Sequence, residues 1–464
     1  MSMATDSATS GLHLVGKLLD PASRPDPYPV YAEFRALGPV WVEEISALVV
    51  PGYRDCETLL RDHRLSSERW RHFDAARDAD PYPPDAPPSV RQPWFLSMDA
   101  PDHTRLRRLV SSAFTARTVA RMEPYVTRLV DDLLDEACEQ DTFDVVSGLA
   151  YTLPMTVICH LLGVPTADER LFHGWSAQLT RQLDGFSAPG DGEEELWAGG
   201  MVEMHRYINE LVADRRRSPR RDDLISELLA ARDGGDVLSH DELVSTLVLL
   251  LVAGHETTVN LIANGVLALL RHPGHLAALR DGQPKASVLV QGDGQAKASP
   301  LVQGDGQVKT PTVVRGDGQA RTSAVVRGGR VTADAVVEEV LRYDPPVHLT
   351  ARVAREDLRV GDAQAPAGAL VILLLAAAHR DPEVNPDPDR FDPAREQVWH
   401  LGFSAGPHFC LGAPLARLEG RVALDAFARR VREPRLVADP PPYREHINLR
   451  GVSELRVAHG GRGR

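Results

Sequence analysis

The sequence is poor in the residues that build extracellular and membrane proteins. Its 464 residues include only 4 cysteines, which lie far apart and form no disulfide framework, so a reducing compartment is expected. The N-terminus has neither a basic segment nor an apolar stretch long enough for a signal peptide. The most apolar run, residues 243–254, is too short to span a bilayer. These absences exclude a disulfide-rich secreted scaffold and predict a cytoplasmic protein without a membrane anchor.

The chain also lacks an excess of basic residues. It contains 52 Lys and Arg against 65 Asp and Glu, which gives a formal net charge of −13. A general nucleic-acid binder needs the opposite balance, so no nucleic-acid partner is expected. The hydrophobic fraction of 43% is ordinary for a globular protein and, over 464 residues, is enough to form a large core.

One cysteine nevertheless lies in a setting that favours metal binding. Cys410 ends a loop rich in Gly and Pro, and residues 411–431 after it have helical character. Free N–H groups and the positive dipole end at a helix N-terminus stabilise a thiolate, which is the metal-binding form. No second Cys or His follows at zinc spacing, so a single thiolate ligand to haem is favoured. The alternative is a small buried apolar side chain, the usual role of a lone cysteine.

The residues around Cys410 favour the haem ligand. Segment 403–412 reads FSAGPHFCLG, and four of its positions have a specific spacing from the cysteine: Phe403, Gly406, His408 and Gly412. The segment resembles the haem-binding loop of the cytochrome P-450 family, and its flanks HLGF and LGAPLARLE are similar to the soluble bacterial branch. One departure is Ser404, where the family has Gly. A permissive backbone is needed there, so Ser404 is expected to add strain.

The remaining sequence predicts a mainly α-helical chain with minor β-sheets. A capping box at residues 239–242 opens a long helix that continues to about Arg271. Short strands are expected within residues 39–50, and residues 344–403 read as loop and short strand. The resemblance covers nearly the whole chain outside one repetitive segment. It implies a single-domain cytochrome P-450 fold over residues 1–464.

Residues 281–328 form that repetitive segment. They contain four tandem units: DGQPKASVLVQG, DGQAKASPLVQG, DGQVKTPTVVRG and DGQARTSAVVRG. The period is too short for helical solenoid units, while the GDG junctions favour turns and the Leu-Val or Val-Val pairs could form short strands. An adhesive or scaffold role is the alternative. We interpret the block as a repeat-containing surface-loop insertion, because long loops cost little stability and the family has only a short link there.

The long helix contains the segment AGHETT in its apolar middle. Ala253 and Gly254 are small enough for a flat group to approach the helix backbone, and Thr257 can hydrogen-bond a carbonyl and open a groove. An acid beside it, Glu256, is costly in an apolar helix without a function or a partner. The alternative is a buried, satisfied polar pair. The segment resembles the family's oxygen-activation motif, which implies that Thr257 holds dioxygen and water and that Glu256 relays protons.

Two further groups of residues have roles implied by the resemblance. Glu339-Val-Leu-Arg342 is similar to the family's E-x-x-R motif, and the PDRF segment is similar to the one that supplies a second arginine, here Arg390. The three would form a buried network behind the haem loop. Haem also carries two carboxylates, which require cationic donors. The donors at family positions are His103, Arg107, Arg352 and His408, although each of them alone reads as a solvated surface group.

The resemblance implies a haem-thiolate monooxygenase that inserts one oxygen atom from O2 into a small organic substrate, by hydroxylation or epoxidation. Its cofactor would be haem b, with Cys410 as the axial thiolate to iron. Electrons are expected from a ferredoxin and an NAD(P)H-dependent ferredoxin reductase, and secondary metabolites are the substrate class implied. A basic patch is predicted to dock an acidic electron donor and consists of Arg105, Arg108, Arg117, Arg417 and Arg421.

Two other functions stay open from the sequence. The first is a peroxygenase that uses hydrogen peroxide; such members tend to lack the acid–threonine pair that Glu256 and Thr257 provide here. The second is a non-catalytic haem-thiolate relative that acts as a recruitment or sensor domain, which would be expected to lose the oxygen-activation residues. Consumption of NADPH with a surrogate ferredoxin would discriminate between the monooxygenase and such a domain.

Overall fold

Helices form most of the chain. The structure, a computed structural model, describes residues 2–69, 80–172, 174–175, 193–220, 223–282, 323–325 and 331–460. Its first helices are α1 (Ser2–Leu19), α2 (Tyr28–Leu37), α3 (Tyr53–Leu59), α4 (Asp102–Ala113), α5 (Ala116–Ala137), α6 (Thr152–Leu162), α7 (Glu193–Arg217) and α8 (Leu224–Ala230). They are followed by α9 (His240–Arg271), α10 (Pro273–Asp281), α11 (Ala333–Tyr343), α12 (Leu375–His379) and α13 (Ala413–Arg430).

The strands are short and form small sheets. They are β1 (Val40–Val42), β2 (Ala47–Val50), β3 (Leu65–Ser66), β4 (Thr142–Asp144), β5 (Ser323–Val325), β6 (Thr350–Ala354), β7 (Leu358–Val360), β8 (Ala363–Ala365), β9 (Leu370–Leu373), β10 (Gln397–Trp399), β11 (Arg435–Leu436) and β12 (Arg456–Ala458). The largest sheet has the order β1-β2-β9-β6-β3, with β2 and β9 parallel and the other neighbours antiparallel. The others are β11-β12-β4, β7-β8 and β10-β5.

The largest sheet is buried on both faces. All residues of β2 and β9 are buried. Leu48 and Val50 belong to one hydrophobic cluster, whereas Ala47 and Val49 belong to another on the opposite face. This two-sided burial explains why β2 reads ALVV without polar alternation. Strand β6 of the same sheet carries Arg352 opposite Val371, so the sheet fixes the position of one predicted haem-binding residue.

Helix α9 crosses the middle of the core. Its predicted capping box is confirmed, because the Glu242 N–H donates to Ser239 Oγ (3.2 Å) and the Ser239 N–H donates to the Glu242 carboxylate (2.8 Å). The helix is apolar and long enough to cross a bilayer, but 78% of its apolar window is buried inside the protein. It packs against α6, α7, α11 and α13 and is thus the core helix of the fold.

Little of the repetitive segment lies within the described residues. Helix α10 ends at Asp281, and Ser323–Val325 of the last unit form β5, which pairs with β10. A short strand within a unit is confirmed for these three residues. Residues 283–322 and 326–328 lie outside the described residues, so the surface-loop insertion stays a prediction.

Candidate functional site

The Cys410 loop is closed by backbone hydrogen bonds. The Cys410 N–H donates to the Phe403 carbonyl (2.9 Å), and the Phe409 N–H donates to that of Gly406 (3.1 Å). Gly406 has a φ of +68°, and a Cβ there would lie 2.8 Å from the Leu60 carbonyl oxygen. Because any other residue would be strained and would collide with this oxygen, the position needs glycine. The loop therefore holds Cys410 in a defined place.

Ser404 has the strained backbone that its position in the loop predicts. Its φ is +62°, in the left-handed region that favours glycine. The Ser404 Oγ is buried and has no hydrogen-bond partner among the described residues. Serine is therefore unfavourable here for two reasons, its backbone conformation and its unpaired hydroxyl.

We expect Ser404→Gly to stabilise the protein. Relief of the left-handed backbone and removal of the unpaired hydroxyl should raise the free energy of unfolding by about 1–2 kcal/mol, measured by urea denaturation. Ser46→Gly is the matched control, because Ser46 has a φ of +47° but an exposed side chain. The control should gain only the part of the unfolding free energy that comes from relief of the left-handed backbone. A Ser404→Gly variant no more stable than the wild type would contradict this account.

Opposing influences act on the sulfur of Cys410. Burial raises the pKa of the thiol, whereas the Gly412 N–H and the guanidiniums of Arg107 and Arg417 lower it. Helix α13 begins at Ala413, so its N-terminal N–H groups lie beside the cysteine, as predicted. Within the ranges that the structure describes, no group of three or more His, Cys, Asp or Glu could hold a metal. The loop thus offers one thiolate rather than a multi-residue metal site.

One face of α9 is open. Between Leu243 and Leu269 every residue is buried except four that share a helical face: Leu250, Ala253, Gly254 and Thr257. A Cβ built on Gly254 would meet no atom within 4 Å, so a flat group has room to approach the backbone there. Thr257 Oγ1 donates to the Ala253 carbonyl (2.9 Å), as the sequence predicts. This face and the Cys410 loop border the same hydrophobic core.

Glu256 lies beside the open face but is itself buried. It is 2% exposed, and its carboxylate forms an ion pair with Arg444. Its other oxygen lies 3.8 Å from His255 Nδ1, and His255 Nε2 contacts the Tyr151 carbonyl (3.1 Å). Burial lowers the pKa of Arg444. The sequence does not reveal Arg444, because this residue approaches from the C-terminal region and nothing around Glu256 indicates its partner.

Two imidazoles stack beside the Cys410 loop. The ring centroids of His103 and His408 are 4.0 Å apart, and His408 Nε2 contacts Ser67 Oγ (3.0 Å). His103 is 3% exposed, and its Nε2 has no partner among the described residues. Burial lowers the pKa of His103 to about 4 and that of His408 to about 3, so both rings are neutral at neutral pH. His103 Nε2 is thus a buried polar atom that a ligand could satisfy.

Guanidiniums gather around the same imidazoles. Arg107 Nη2 donates to the Phe409 carbonyl (2.6 Å), and Arg352 is 9% exposed. Burial, together with the charge of Arg69, lowers the pKa of Arg352 to about 10. Asp99 is the acid that counters these charges, but it already accepts from Arg355 (2.6 Å). A cluster of cations with too little negative charge suits a ligand with two carboxylates.

Arg69 is a further cation of this cluster that the sequence does not reveal. Burial lowers its pKa, and its charge acts on Arg352 from the segment after β3. No local motif surrounds it in the sequence. It becomes visible only because β3 pairs with β6, the strand that carries Arg352.

The network behind the loop differs from the predicted one in its third member. Arg342 binds Glu339 through two hydrogen bonds of 2.8 Å, and both side chains are fully buried. The prediction for Arg390 is wrong: its side chain is 66% exposed and faces Asp392, and only its carbonyl accepts from Arg342. Arg395 takes its place, with Nε donating to Glu339 (3.2 Å). The turn at residues 386–392 directs the Arg390 side chain outward and brings Arg395 back to α11.

The predicted basic patch is largely neutralised. Arg105 pairs with Glu242, Arg108 with Asp233 (2.9 Å) and Arg421 with Glu123 (2.8 Å), while Arg417 is bound to the buried Glu338. These four arginines therefore offer little uncompensated charge to an acidic partner, and the prediction is wrong for them. Sequence position shows that the arginines are near the site, but their partners come from distant segments.

Glu419 is a buried acid that sequence analysis did not single out. It lies in α13, is 2% exposed, and its Oε2 has no hydrogen-bond partner in the described part of the chain. Burial raises its pKa to about 8, so the carboxyl is mostly protonated at neutral pH. Its helical neighbours Leu415 and Val422 are also buried. An acid on this apolar stripe was the signal that could have revealed it.

We expect Glu419→Gln to make stability less dependent on pH. The unfolded pKa of Glu is about 4.3, so folding takes up a proton, and the stability of the wild type falls relative to Gln between about pH 4.3 and 8. Between pH 5 and pH 8 the difference in free energy of unfolding should move in favour of the variant by about 3–4 kcal/mol, because each pH unit in this window is worth about 1.4 kcal/mol. Urea unfolding of both proteins at each pH measures this. A difference that does not change with pH would contradict a raised pKa.

Comparison with known proteins decides the family. The family model described as Cytochrome P450 matches residues 194–285 and 328–443. Vitamin D(3) 25-hydroxylase of Pseudonocardia autotrophica is 36% identical and aligns with 94% of this chain and 94% of its own length. The chain belongs to the cytochrome P-450 family. The family match leaves out residues 286–327, which lie inside the repetitive segment.

Other similar P-450 proteins extend over almost the whole chain. The 6-deoxyerythronolide B hydroxylase of Saccharopolyspora erythraea is 35% identical and aligns with 94% of this chain and 96% of its own. The ligand-free crystal structure of CYP164A2 from Mycobacterium smegmatis superposes with a TM-score of 0.77. It shares 42% identity and covers 96% of this chain and 99% of its own. The mainly helical, single-domain P-450 fold expected from the sequence is therefore confirmed.

Family membership defines the chemistry. The protein is a cytochrome P-450 monooxygenase, an oxidoreductase whose haem iron is held by a cysteine thiolate. It works with O2, an organic substrate and a source of electrons. The structure fits this cofactor at three places: the single thiol of Cys410, the unpartnered His103 Nε2 within the cationic cluster, and the open backbone at Gly254.

Proposed function

We propose that Cys410 is the axial thiolate ligand in an enzyme that hydroxylates or epoxidises a small organic molecule. The observation that carries this proposal is the closed loop that holds a lone thiol at the N-terminus of α13. When bound, haem supplies the activation of dioxygen and the transfer of one oxygen atom, and the thiolate adds electron density. Phe403 and Gly412 belong to the same loop and fix the cysteine from both sides.

Four residues would hold the two carboxylates of haem: His103, Arg107, Arg352 and His408. Their burial near one another, and the shortage of negative charge around them, support this role. Arg69 would add a further positive charge. Ala253 and Gly254 would allow the flat ring to lie against α9, because their small side chains leave the backbone accessible.

Thr257 and Glu256 would handle dioxygen and protons. The Thr257 hydroxyl lies on the open face of α9, where it can hold a water or dioxygen beside the substrate. Glu256 is buried next to it, and its ion pair with Arg444 holds the carboxylate in place beside the open face, where it could relay protons. Arg444 is therefore a positioning residue for Glu256.

The substrate class we propose is a bulky, mostly apolar secondary metabolite. Two relatives are named as hydroxylases of vitamin D(3) and of 6-deoxyerythronolide B, which supports an apolar substrate of this size. The electron donors would be a ferredoxin and an NAD(P)H-dependent ferredoxin reductase in the cytoplasm. Compounds that shift the Soret band on binding would identify candidate substrates.

Turnover under isotope-labelled dioxygen tests this function against its alternatives. With NADPH, a surrogate ferredoxin and its reductase, the oxygen atom in the product should carry the label. If product forms only when unlabelled hydrogen peroxide is added, and its new oxygen atom then carries no label, the protein is instead a peroxygenase. A protein that binds haem but consumes no NADPH above background would be a non-catalytic domain. The retained pair of Glu256 and Thr257 favours the first result.

Residues 281–328 are proposed to be dispensable for this chemistry. The family match stops at residue 285 and resumes at residue 328, which supports an insertion. A variant that joins Arg280 to Gly329 should bind haem, give the same carbon-monoxide spectrum and turn over at a rate within about twofold of the wild type, since loop length costs little. Haem-free or misfolded protein would show that contacts of the segment with the fold, such as the pairing of β5 with β10, are required.

A further inference from the structure

A second buried ionic network lies behind the Cys410 loop, on the other side of α11 from Arg395. Glu338, the residue before Glu339, is 7% exposed. Arg417 of α13 donates to both its oxygens, from Nε (2.5 Å) and Nη2 (3.0 Å). His400, which follows β10, is 5% exposed and contacts the same carboxylate through Nε2 (2.9 Å). Three segments that are distant in sequence thus meet at one carboxylate.

The hydrogen bonds show which groups of the network donate and which accept. The Gly402 N–H donates to His400 Nδ1 (3.2 Å), so this nitrogen is an acceptor and the proton is on Nε2, which donates to Glu338. Burial opposes ionisation of Glu338, but Arg417 and His400 outweigh it and hold its pKa at about 2. The Glu338 carboxylate and the Arg417 guanidinium therefore form the ion pair of the network, and His400 adds a hydrogen bond to the same carboxylate.

The network reaches the cysteine through Phe403. The Arg417 guanidinium lies 4.5 Å from the centre of the Phe403 ring, within cation–π range. The carbonyl of the same Phe403 accepts the Cys410 N–H (2.9 Å). Gly402, which donates to His400, is so close to α11 that a Cβ would lie 3.2 Å from the Leu341 carbonyl oxygen. The two neighbouring residues at the start of the Cys410 loop, Gly402 and Phe403, are thus both held by this network.

We propose that Glu338, His400 and Arg417 are positioning residues that hold the Cys410 loop. Within this group, Glu338 balances the charge of Arg417 near the sulfur. This inference rests on the proposed role of Cys410. Glu338 neutralises a guanidinium whose field reaches the thiolate, so it sets the electrostatic potential in which the haem iron is reduced. The network differs from the Glu339–Arg342–Arg395 network, which anchors residues 386–395 instead.

The test compares Glu338→Gln with the double variant Glu338→Gln/Arg417→Met in the haem-loaded protein. Glu338→Gln removes a negative charge and leaves Arg417 positive, so ferric haem should become easier to reduce. We expect its reduction equilibrium to shift by about tenfold, measured by spectroelectrochemical titration. In the double variant both charges are absent, and the equilibrium should return to near the wild-type value. Arg421→Met is the matched control, because Arg421 lies one turn further along α13 and pairs with the half-exposed Glu123.

Each outcome decides the proposal. A Glu338→Gln protein that reduces like the wild type, or a double variant that keeps the shift of the single one, would overturn it. If Glu338→Gln fails to bind haem, recovery of the thiolate-type carbon-monoxide spectrum in the double variant would support it, and failure of both variants would overturn it. If Cys410 were not the ligand, the wild type itself would lack the thiolate-type spectrum, so the two failures are distinguishable.

Discussion

Cys410→Ser is expected to abolish the red-shifted Soret band of the ferrous carbon-monoxide complex. A serine hydroxyl does not ionise under these conditions, so it cannot replace the thiolate that donates electron density to haem iron. The loop itself should persist, because the Cys410 N–H donates through the backbone to Phe403 (2.9 Å). Turnover should fall to background. The measurement is the difference spectrum of dithionite-reduced protein with and without carbon monoxide.

Cys138→Ser is the matched control for this experiment. Cys138 is 9% exposed and follows the last residue of α5, near the C-terminal end of α13, where Asp135 pairs with Arg430. The control should keep the thiolate-type spectrum and lose at most about 1–2 kcal/mol of stability, because a hydroxyl replaces a buried thiol. A normal thiolate-type spectrum in Cys410→Ser would show that another residue binds the iron.

The parts of the site that the sequence reveals are those whose spacing is local. The capping box of α9, the open face at Ala253, Gly254 and Thr257, and the helix after Cys410 each follow from residues a few positions apart. The backbone strain at Ser404 also follows from the sequence, because the family has glycine at this position. The observed φ of +62° agrees with it. Local sequence patterns therefore predict the helices and the loop that position the site.

The parts that the sequence does not reveal depend on which distant segments meet. Arg395 replaces Arg390 because a turn directs one arginine inward and the other outward, and Arg444 reaches Glu256 from the C-terminal region. The basic patch fails for the same reason: an arginine read from sequence carries no information about its acidic partner. The sequence therefore places these arginines near the site but does not show which acidic side chain pairs with each of them.

The buried carboxyls of this protein show how far partners decide the behaviour of identical residues. Glu338 and Glu339 are adjacent in α11, yet the first binds Arg417 and the second binds Arg342 and Arg395. Glu419, equally buried, has a pKa raised to about 8 because burial is unopposed. Three glutamates in two packed helices are therefore either paired or neutral, and the sequence alone does not separate the cases.

Thr257→Ala is expected to uncouple electron consumption from product formation without loss of haem. Its hydroxyl is on the open face of α9, where we propose that it holds dioxygen and water near Glu256. Product per NADPH should fall by roughly 100-fold, the lower end of the range for loss of a proton-transfer group, while peroxide release rises. The carbon-monoxide spectrum should remain that of the wild type. NADPH, peroxide and product are measured in the same reaction.

Thr258→Ala separates this effect from a change in the helix itself. Thr258 Oγ1 donates to the Gly254 carbonyl (2.9 Å), the same bond that Thr257 makes to Ala253, but Thr258 is 3% exposed. Both variants remove one side-chain bond to the backbone, and only Thr257→Ala removes a hydroxyl from the open face. If the two variants uncouple equally, the cause is the loosened helix and Thr257 has no special role with dioxygen. If product per NADPH stays at the wild-type value in both, proton delivery does not pass through either hydroxyl.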